Sequence, residues 1–381
     1  MSEDAMKEQR FEEQWNTDGI HLLRVVAAWC IAIFPHYDYF VSRENQAFPG
    51  YSPLTAWFWD YSMYFVDLFF VISGLVMFLG YGEKIASHRV EFLPYLKKRL
   101  KKLYPMHVVL LVISAILMGL YRFQTGVELS PVDAEPVFTN DALGFMLNLF
   151  FLQGFSLVPP GFNRPTWYLT QIMVMYLLFY GIQWILGPRK GEALGYVLGL
   201  GLGILLTVTA YPTVIFHCRA LVGFFAGCLL GKVYEWEKRS LPRQMFYKNL
   251  LGIISLIFPL GFFLCLKNLG QGSFGPITWL TAYYVILVWC PLVYFVLHCN
   301  LCSILGGWKV VKVLSALSFP LYMVHFVVIM VFCLLAQWGA LPMPLGSKYF
   351  FLLYVASLVV VTGAIGIGTK IIGLKQKTNR K

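Results

Sequence analysis

Apolar residues gather into eleven long runs, near 22–41, 55–80, 103–121, 142–157, 166–187, 193–211, 214–231, 249–267, 276–298, 313–336 and 349–374. An α-helix needs roughly 20 mainly apolar residues to cross the hydrocarbon core of a bilayer, and most of these runs are that long. The pattern predicts an all-α polytopic membrane protein. Three of the polar intervals are basic. Segment 82–102 holds Lys84, Arg89, Lys97, Lys98, Arg99, Lys101 and Lys102; segment 232–248 holds Lys232, Lys238, Arg239, Arg243 and Lys248; the last residues hold Lys375, Lys377, Arg380 and Lys381. Short basic loops stay on the cytoplasmic side. Counting back from a cytoplasmic C-terminus and forward from a cytoplasmic N-terminus leaves both ends of run 142–157 outside, so it does not cross. It is short and carries Asn148 and Gln153. A re-entrant or interfacial segment fits, its backbone covered by protein. The expectation is ten transmembrane helices plus this segment near 142–157, with the N and C termini cytoplasmic. The first 21 residues are polar and hold no signal-peptide core, so the first span is expected to stay uncleaved.

Composition narrows the class further. The chain is 58% apolar and 13% charged, against about 25% charged in ordinary soluble domains. That excludes an ordinary cytosolic enzyme, a disordered chain and a fibrous protein. The net charge of +11 sits in short loops between apolar runs and not on a soluble face, so the expected partner is the lipid bilayer and no nucleic acid. The eight cysteines lie mostly inside apolar runs and read as buried thiols. Cys299 and Cys302 form a lone CxxC without a second pair, and no metal site is expected. No period of 20–50 residues and no soluble domain is visible. Any chemistry must lie inside the helix bundle or at its mouths.

Ionisable groups inside a span are costly and are functional candidates, although some snorkel to an interface or cap a neighbouring helix. Here they are Arg24, His36, Asp38, Asp67, His107, Arg219 and His325. His36 lies late in the first span, in Phe34-Pro35-His36-Tyr37-Asp38. A neutral imidazole can take a proton from a hydroxyl and hand it on. On a regular helix Asp38 would point off that face, so Asp67 of the second span is the better carboxylate to orient His36. Lys98, Arg99 and Lys102 share one helical flank. They suit a phosphorylated ligand at the cytoplasmic mouth, or serve only to fix topology and bind anionic lipid. Trp167-Tyr168 either stacks on a sugar or anchors an interface. Tyr322 and His325, one turn apart, make a structural hydrogen bond or line the cavity. Ser73-Gly74 reads as a place where two helices approach closely.

In this order the pieces resemble the acyltransferase-3 family of integral-membrane O-acyltransferases. They are His36, the stretch Val66–Gly74, the basic stretch from Lys98 to Pro105, Pro165-Thr166-Trp167-Tyr168, the stretch Arg219–Gly227, and Ser318–Phe326 with Tyr322 and His325. The resemblance runs from about residue 17 to 372. It implies a polar cytoplasmic tail (1–16), a membrane acyltransferase domain (17–374) and a basic cytoplasmic tail (375–381). It also implies a multi-pass protein of the cell membrane. The implied enzyme moves an acyl group, usually acetyl, from cytoplasmic acyl-CoA to a hydroxyl of a cell-envelope or extracellular glycan or lipid-linked saccharide. Acetyl-CoA is then a substrate, and no bound cofactor is expected. The catalytic His falls on His36 and the basic residue acting with it on Arg24. Acyl-CoA handling falls on Arg99 and Lys102, with Lys98 beside them. Lys102 stands where the family has a second Arg, and a lysine cannot form the bidentate fork. A donor such as Arg24 or Arg219 would steady the developing oxyanion.

Two positions depart from the family pattern. The basic residue usually precedes the His by eleven positions, which returns to within about 20° of the same helix face. Arg24 precedes His36 by twelve. Pro35 therefore predicts a distorted helix near 31–36 that restores a shared cavity. Ile172 stands where many members carry an acid, and Gln171 is a weak substitute. The rival readings are a multi-span transporter of a glycan or small anion and a non-catalytic scaffold.

Overall fold

The structure is a computed structural model that describes residues 15–41, 48–52, 55–129, 140–154, 161–209, 214–240, 278–341 and 343–378. Every regular element among these residues is helical. The first are α1 (Gly19–Ile33), α2 (Asp38–Val41) and α3 (Ala56–Tyr61), then a 3-10 turn (Ser62–Tyr64) and α4 (Phe65–Ala86). Next come α5 (Phe92–Thr125), α6 (Ala142–Leu149), a 3-10 turn (Arg164–Thr166), α7 (Trp167–Leu186), α8 (Glu192–Thr209) and α9 (Ile215–Ser240). The rest are α10 (Thr278–Tyr283), a π-helical stretch (Tyr284–Trp289), α11 (Cys290–His298), α12 (Asn300–Gly307), α13 (Lys309–Ala316), α14 (Ser318–Gln337) and α15 (Lys348–Thr378).

Nine stretches among the described residues are long and apolar enough to cross a membrane. They fall on nine of the ten expected crossings; the run near 249–267 lies outside the described residues. Helix α6, with 8 residues, is about 12 Å long and cannot cross. Helix α8 leaves Leu194, Val197, Leu198, Leu202, Leu205 and Val208 exposed at helical spacing. A soluble surface does not carry such a stripe, and lipid tails solvate it.

The chain forms two compact units. The first comprises the described parts of Met1–Ala27, Val66–Leu100 and Gln171–Ser315. Its central seam joins α4 to α9. Arg219, Gly223, Gly227 and Gly231 recur every four residues and so share one face of α9. A Cβ at Gly227 would run into the Val71 carbonyl, and one at Gly74 into the Phe224 carbonyl. At Gly223 it would lie 2.7 Å from Phe70 Cβ, and at Gly231 2.9 Å from Phe78. Lipid offers no hydrophobic drive between helices, so close backbone approach along small residues supplies the association.

The second unit comprises the described parts of Ala28–Phe65, Lys101–Thr170 and Ala316–Lys381. Its core is α14, apolar all round and buried along most of its length. Phe40, Phe332, Phe350 and Tyr354 pack edge to face nearby, with Phe40 and Phe350 at 4.8 Å and 81°. Helix α6 starts at Asp141, whose carboxylate accepts the Gly144 N–H at 2.7 Å. The His107 ring meets the Asn148 carbonyl at the far end at 2.8 Å. Protein groups thus meet backbone groups at both ends of this non-crossing helix. The segment then turns at Gly154 (φ +82°), where a Cβ would lie 2.9 Å from Trp167 Cβ. Only glycine combines that φ with that approach.

Seven cysteines are described, and no two of them form a disulfide with each other. Burial, then the neighbouring Cys299, push the Cys302 thiol up to about 11.

Candidate active site

Helix α1 ends at Ile33, three residues before His36. Pro35 has no N–H to continue the ladder and disfavours helical geometry in the residue before it. The Phe34 N–H still reaches the Cys30 carbonyl (3.1 Å), and the chain then turns so that the Tyr37 N–H bonds to the Phe34 carbonyl (3.1 Å). His36 therefore stands on a turn, and a regular helix does not run through it. The break expected near 31–36 is present. Arg24 belongs to the first unit and His36 to the second.

Within the second unit, two further pieces meet His36. One is α14. His325 Nε2 lies 3.3 Å from His36 Nδ1, and His325 Nδ1 lies 2.7 Å from the Tyr322 carbonyl. The Phe326 ring stands edge-on to His36 at 5.4 Å. His325 is wholly buried. The other piece is the turn carrying Arg164. It is tied to α14 by the Asn163 side-chain amide, which donates to the Met323 carbonyl (3.1 Å), and by the Tyr322 hydroxyl, which donates to the Pro165 carbonyl (2.7 Å). Arg164 lies 5.3 Å from the centre of the Tyr39 ring and interacts electrostatically with His36 and Asp38. An imidazole pair, a guanidinium and a carboxylate thus converge, walled by Tyr39 and Phe326.

The first unit holds Lys98 and Arg99 of the basic cluster, and Lys102 falls in the second. The Arg99 guanidinium lies over three rings, 4.3 Å from Tyr81, 5.3 Å from Tyr95 and 5.2 Å from Tyr176. Its Nε and one terminal nitrogen are buried with no hydrogen-bond partner among the described residues. Buried donors left open in this way are a standing cost unless a ligand satisfies them. Lys98 approaches Tyr81 at 5.8 Å, and Lys102 is exposed. Tyr176 is hydrogen-bonded to Ser73 and interacts electrostatically with both Arg99 and Arg24. So Arg24, Ser73 and Arg99 share one tyrosine.

Other expected residues have different company. Asp67, read from sequence as the group orienting His36, accepts from Arg219 Nε at 2.8 Å, both side chains buried. The pair continues the α4–α9 seam. It also commits Arg219, read as an oxyanion donor, to a carboxylate of its own. Two charges that deep are tolerable only together. His36 is bonded to His325 instead. Gln171 Oε1 lies 2.8 Å from His217 Nδ1, next to Ile172. Trp167 is buried against Gly154, and Tyr168 packs on Tyr322 at 5.6 Å. Among the described residues no three His, Cys, Asp or Glu gather in a way that would hold a metal.

A family model described as an acyltransferase domain, Acyl_transf_3, matches residues 17–368. The chain belongs to this acyltransferase family. No curated protein and no solved structure matches it. The match covers nearly the whole chain, so the membrane helices are themselves the acyltransferase domain, and this is a multi-pass membrane acyltransferase. Two features of the acyltransferase's site carry no distinguishing signal in its sequence. Arg164 directly precedes the Pro-Thr-Trp motif, where a basic residue reads as a span boundary. Tyr81, Tyr95 and Tyr176 read as interface or packing aromatics, and only their convergence on Arg99 distinguishes them.

Proposed function

We propose that this acyltransferase moves an acyl group, most simply acetyl, from cytoplasmic acyl-CoA to a hydroxyl of a cell-envelope or extracellular glycan. It does so from ten crossings of the cell membrane with both termini cytoplasmic. The observation that carries the reading is the imidazole pair His36–His325, set at a break in the first span of a chain of this family. His36 removes the proton from the acceptor hydroxyl as its oxygen attacks the thioester carbonyl. The donor's phosphates dock on the open N–H groups of Arg99, with Lys98 and Lys102 adding point charges. Arg24 belongs to the same tyrosine-lined cluster. Arg164, beside His36, takes the part of oxyanion donor that Arg219, committed to Asp67, does not fill.

Membranes containing the protein, given radiolabelled acetyl-CoA, are expected to label envelope glycan. Absence of label with acceptor and donor both present would sink the reading and restore the transporter. Arg99→Ala is expected to raise the KM for acetyl-CoA about 10–100-fold, the worth of hydrogen bonds between charged partners, with little change in kcat. Unchanged donor KM would remove Arg99 from donor binding. Arg164→Gln is expected to lower kcat about 100-fold with both KM values preserved, as for loss of one oxyanion donor. A loss confined to KM would make Arg164 a binding group.

A further inference from the structure

We infer that His325 is a positioning residue that fixes the tautomer of His36 and so selects Nε2 as the atom that takes the proton. The inference rests on the acyl-transfer reading of His36.

The hydrogen bonds around the two rings set their tautomers. The Tyr322 carbonyl, 2.7 Å from His325 Nδ1, can only accept, so His325 Nδ1 carries a hydrogen. A neutral imidazole has one N–H, which leaves a lone pair on His325 Nε2. That nitrogen lies 3.3 Å from His36 Nδ1. The contact is a hydrogen bond only if His36 Nδ1 donates. His36 Nε2 is then left with its own lone pair. The alternative is a doubly protonated His325 donating to His36. It would place a cation on a wholly buried ring in the unit where Arg164 already interacts electrostatically with His36. Burying an unpaired charge there is costly.

The same bonds serve the reaction. As the acceptor oxygen bonds to the acyl carbon, its proton passes to His36 Nε2. The imidazolium keeps Nδ1–H on His325, so no partner has to reorient. When the carbon–sulfur bond breaks, the proton passes from Nε2 to the thiolate, giving free CoA thiol and the acyl ester. His36 returns to its starting tautomer. The Phe326 and Tyr39 rings, 5.4 and 6.4 Å from His36, limit rotation of the ring away from this direction.

The full chain in detergent, labelled with 15N-histidine, reads the tautomer directly, with resonances assigned by loss in His36→Gln and His325→Gln. Expected are Nδ1–H tautomers for both rings; an Nε2–H tautomer of His36 would overturn the inference. Kinetics supply the second reading. His325→Leu removes the acceptor and is expected to lower kcat about 100-fold with both KM values unchanged. His325→Gln, whose amide oxygen can accept from Nδ1–H, is expected to recover to within about tenfold of the original. Equal kcat for the Leu and Gln variants would also overturn it, because packing alone does not tell the two apart. If His36→Ala retains full transfer, the function assigned to His36 has failed. If His36→Ala is inactive while the two His325 variants behave alike, only the tautomer inference has failed.

Discussion

His36→Ala is expected to lower kcat for acyl transfer about 10²–10⁴-fold, the usual worth of a positioned general base, while CoA still binds. In barrier terms that is about 3–5 kcal/mol. Binding survives because His36 and Arg99 occupy different units and the substitution deletes no group from the tyrosine-lined cluster around Arg99. The measurement is label transfer from acetyl-CoA to glycan, paired with CoA binding to the purified variant. Transfer at the original rate would remove His36 from the chemistry. Loss of both transfer and binding would mean that the residue maintains the fold.

The second large effect concerns stability. Gly74→Val and Gly227→Val are each expected to destabilise the protein by about 3 kcal/mol or more, beyond the usual cost of overpacking. At both positions the added carbon meets a backbone carbonyl across the α4–α9 seam, and a backbone cannot swing aside as a side chain can. Separating the helices would also strain the buried Asp67–Arg219 bond. Gly181→Ala on α7 is the internal control. Nothing lies within 4 Å of a Cβ there, and replacing a mid-helix glycine gains about 0.5–1 kcal/mol. Thermal midpoints in detergent should fall for the first two and hold or rise for the third. A Gly74→Val protein as stable as the original would mean that the seam is looser than the structure has it.

Much of the architecture was legible along the chain. Nine of the eleven apolar runs fall on the nine long stretches described, because crossing a bilayer demands about 20 apolar residues in succession. The short segment near 142–157 was set aside by the charge of the loops around it, then by length and polarity, and its helix has only 8 residues. Pro35 announced the break after Ile33, since the missing N–H is a property of that residue alone. The close approach read into Ser73-Gly74 is also there. The family was visible in short motifs whose order survives without any coordinates.

The partners were not legible. Asp67 was assigned to His36 on helix-face arguments, but its partner, Arg219, is 152 positions away. The partner of His36 is 289 positions away. Arg99 gave itself away as a basic residue at a span start; its three tyrosines come from three different helices. The sequence by itself determined which stretches are helical, where they break and which residue types carry charge into the bundle. Those are consequences of backbone hydrogen bonding and burial, which act between near neighbours. Only the tertiary structure decided which charge meets which. A polar group inside the bundle must find a partner on another helix, and that choice is made by packing between stretches far apart in the chain.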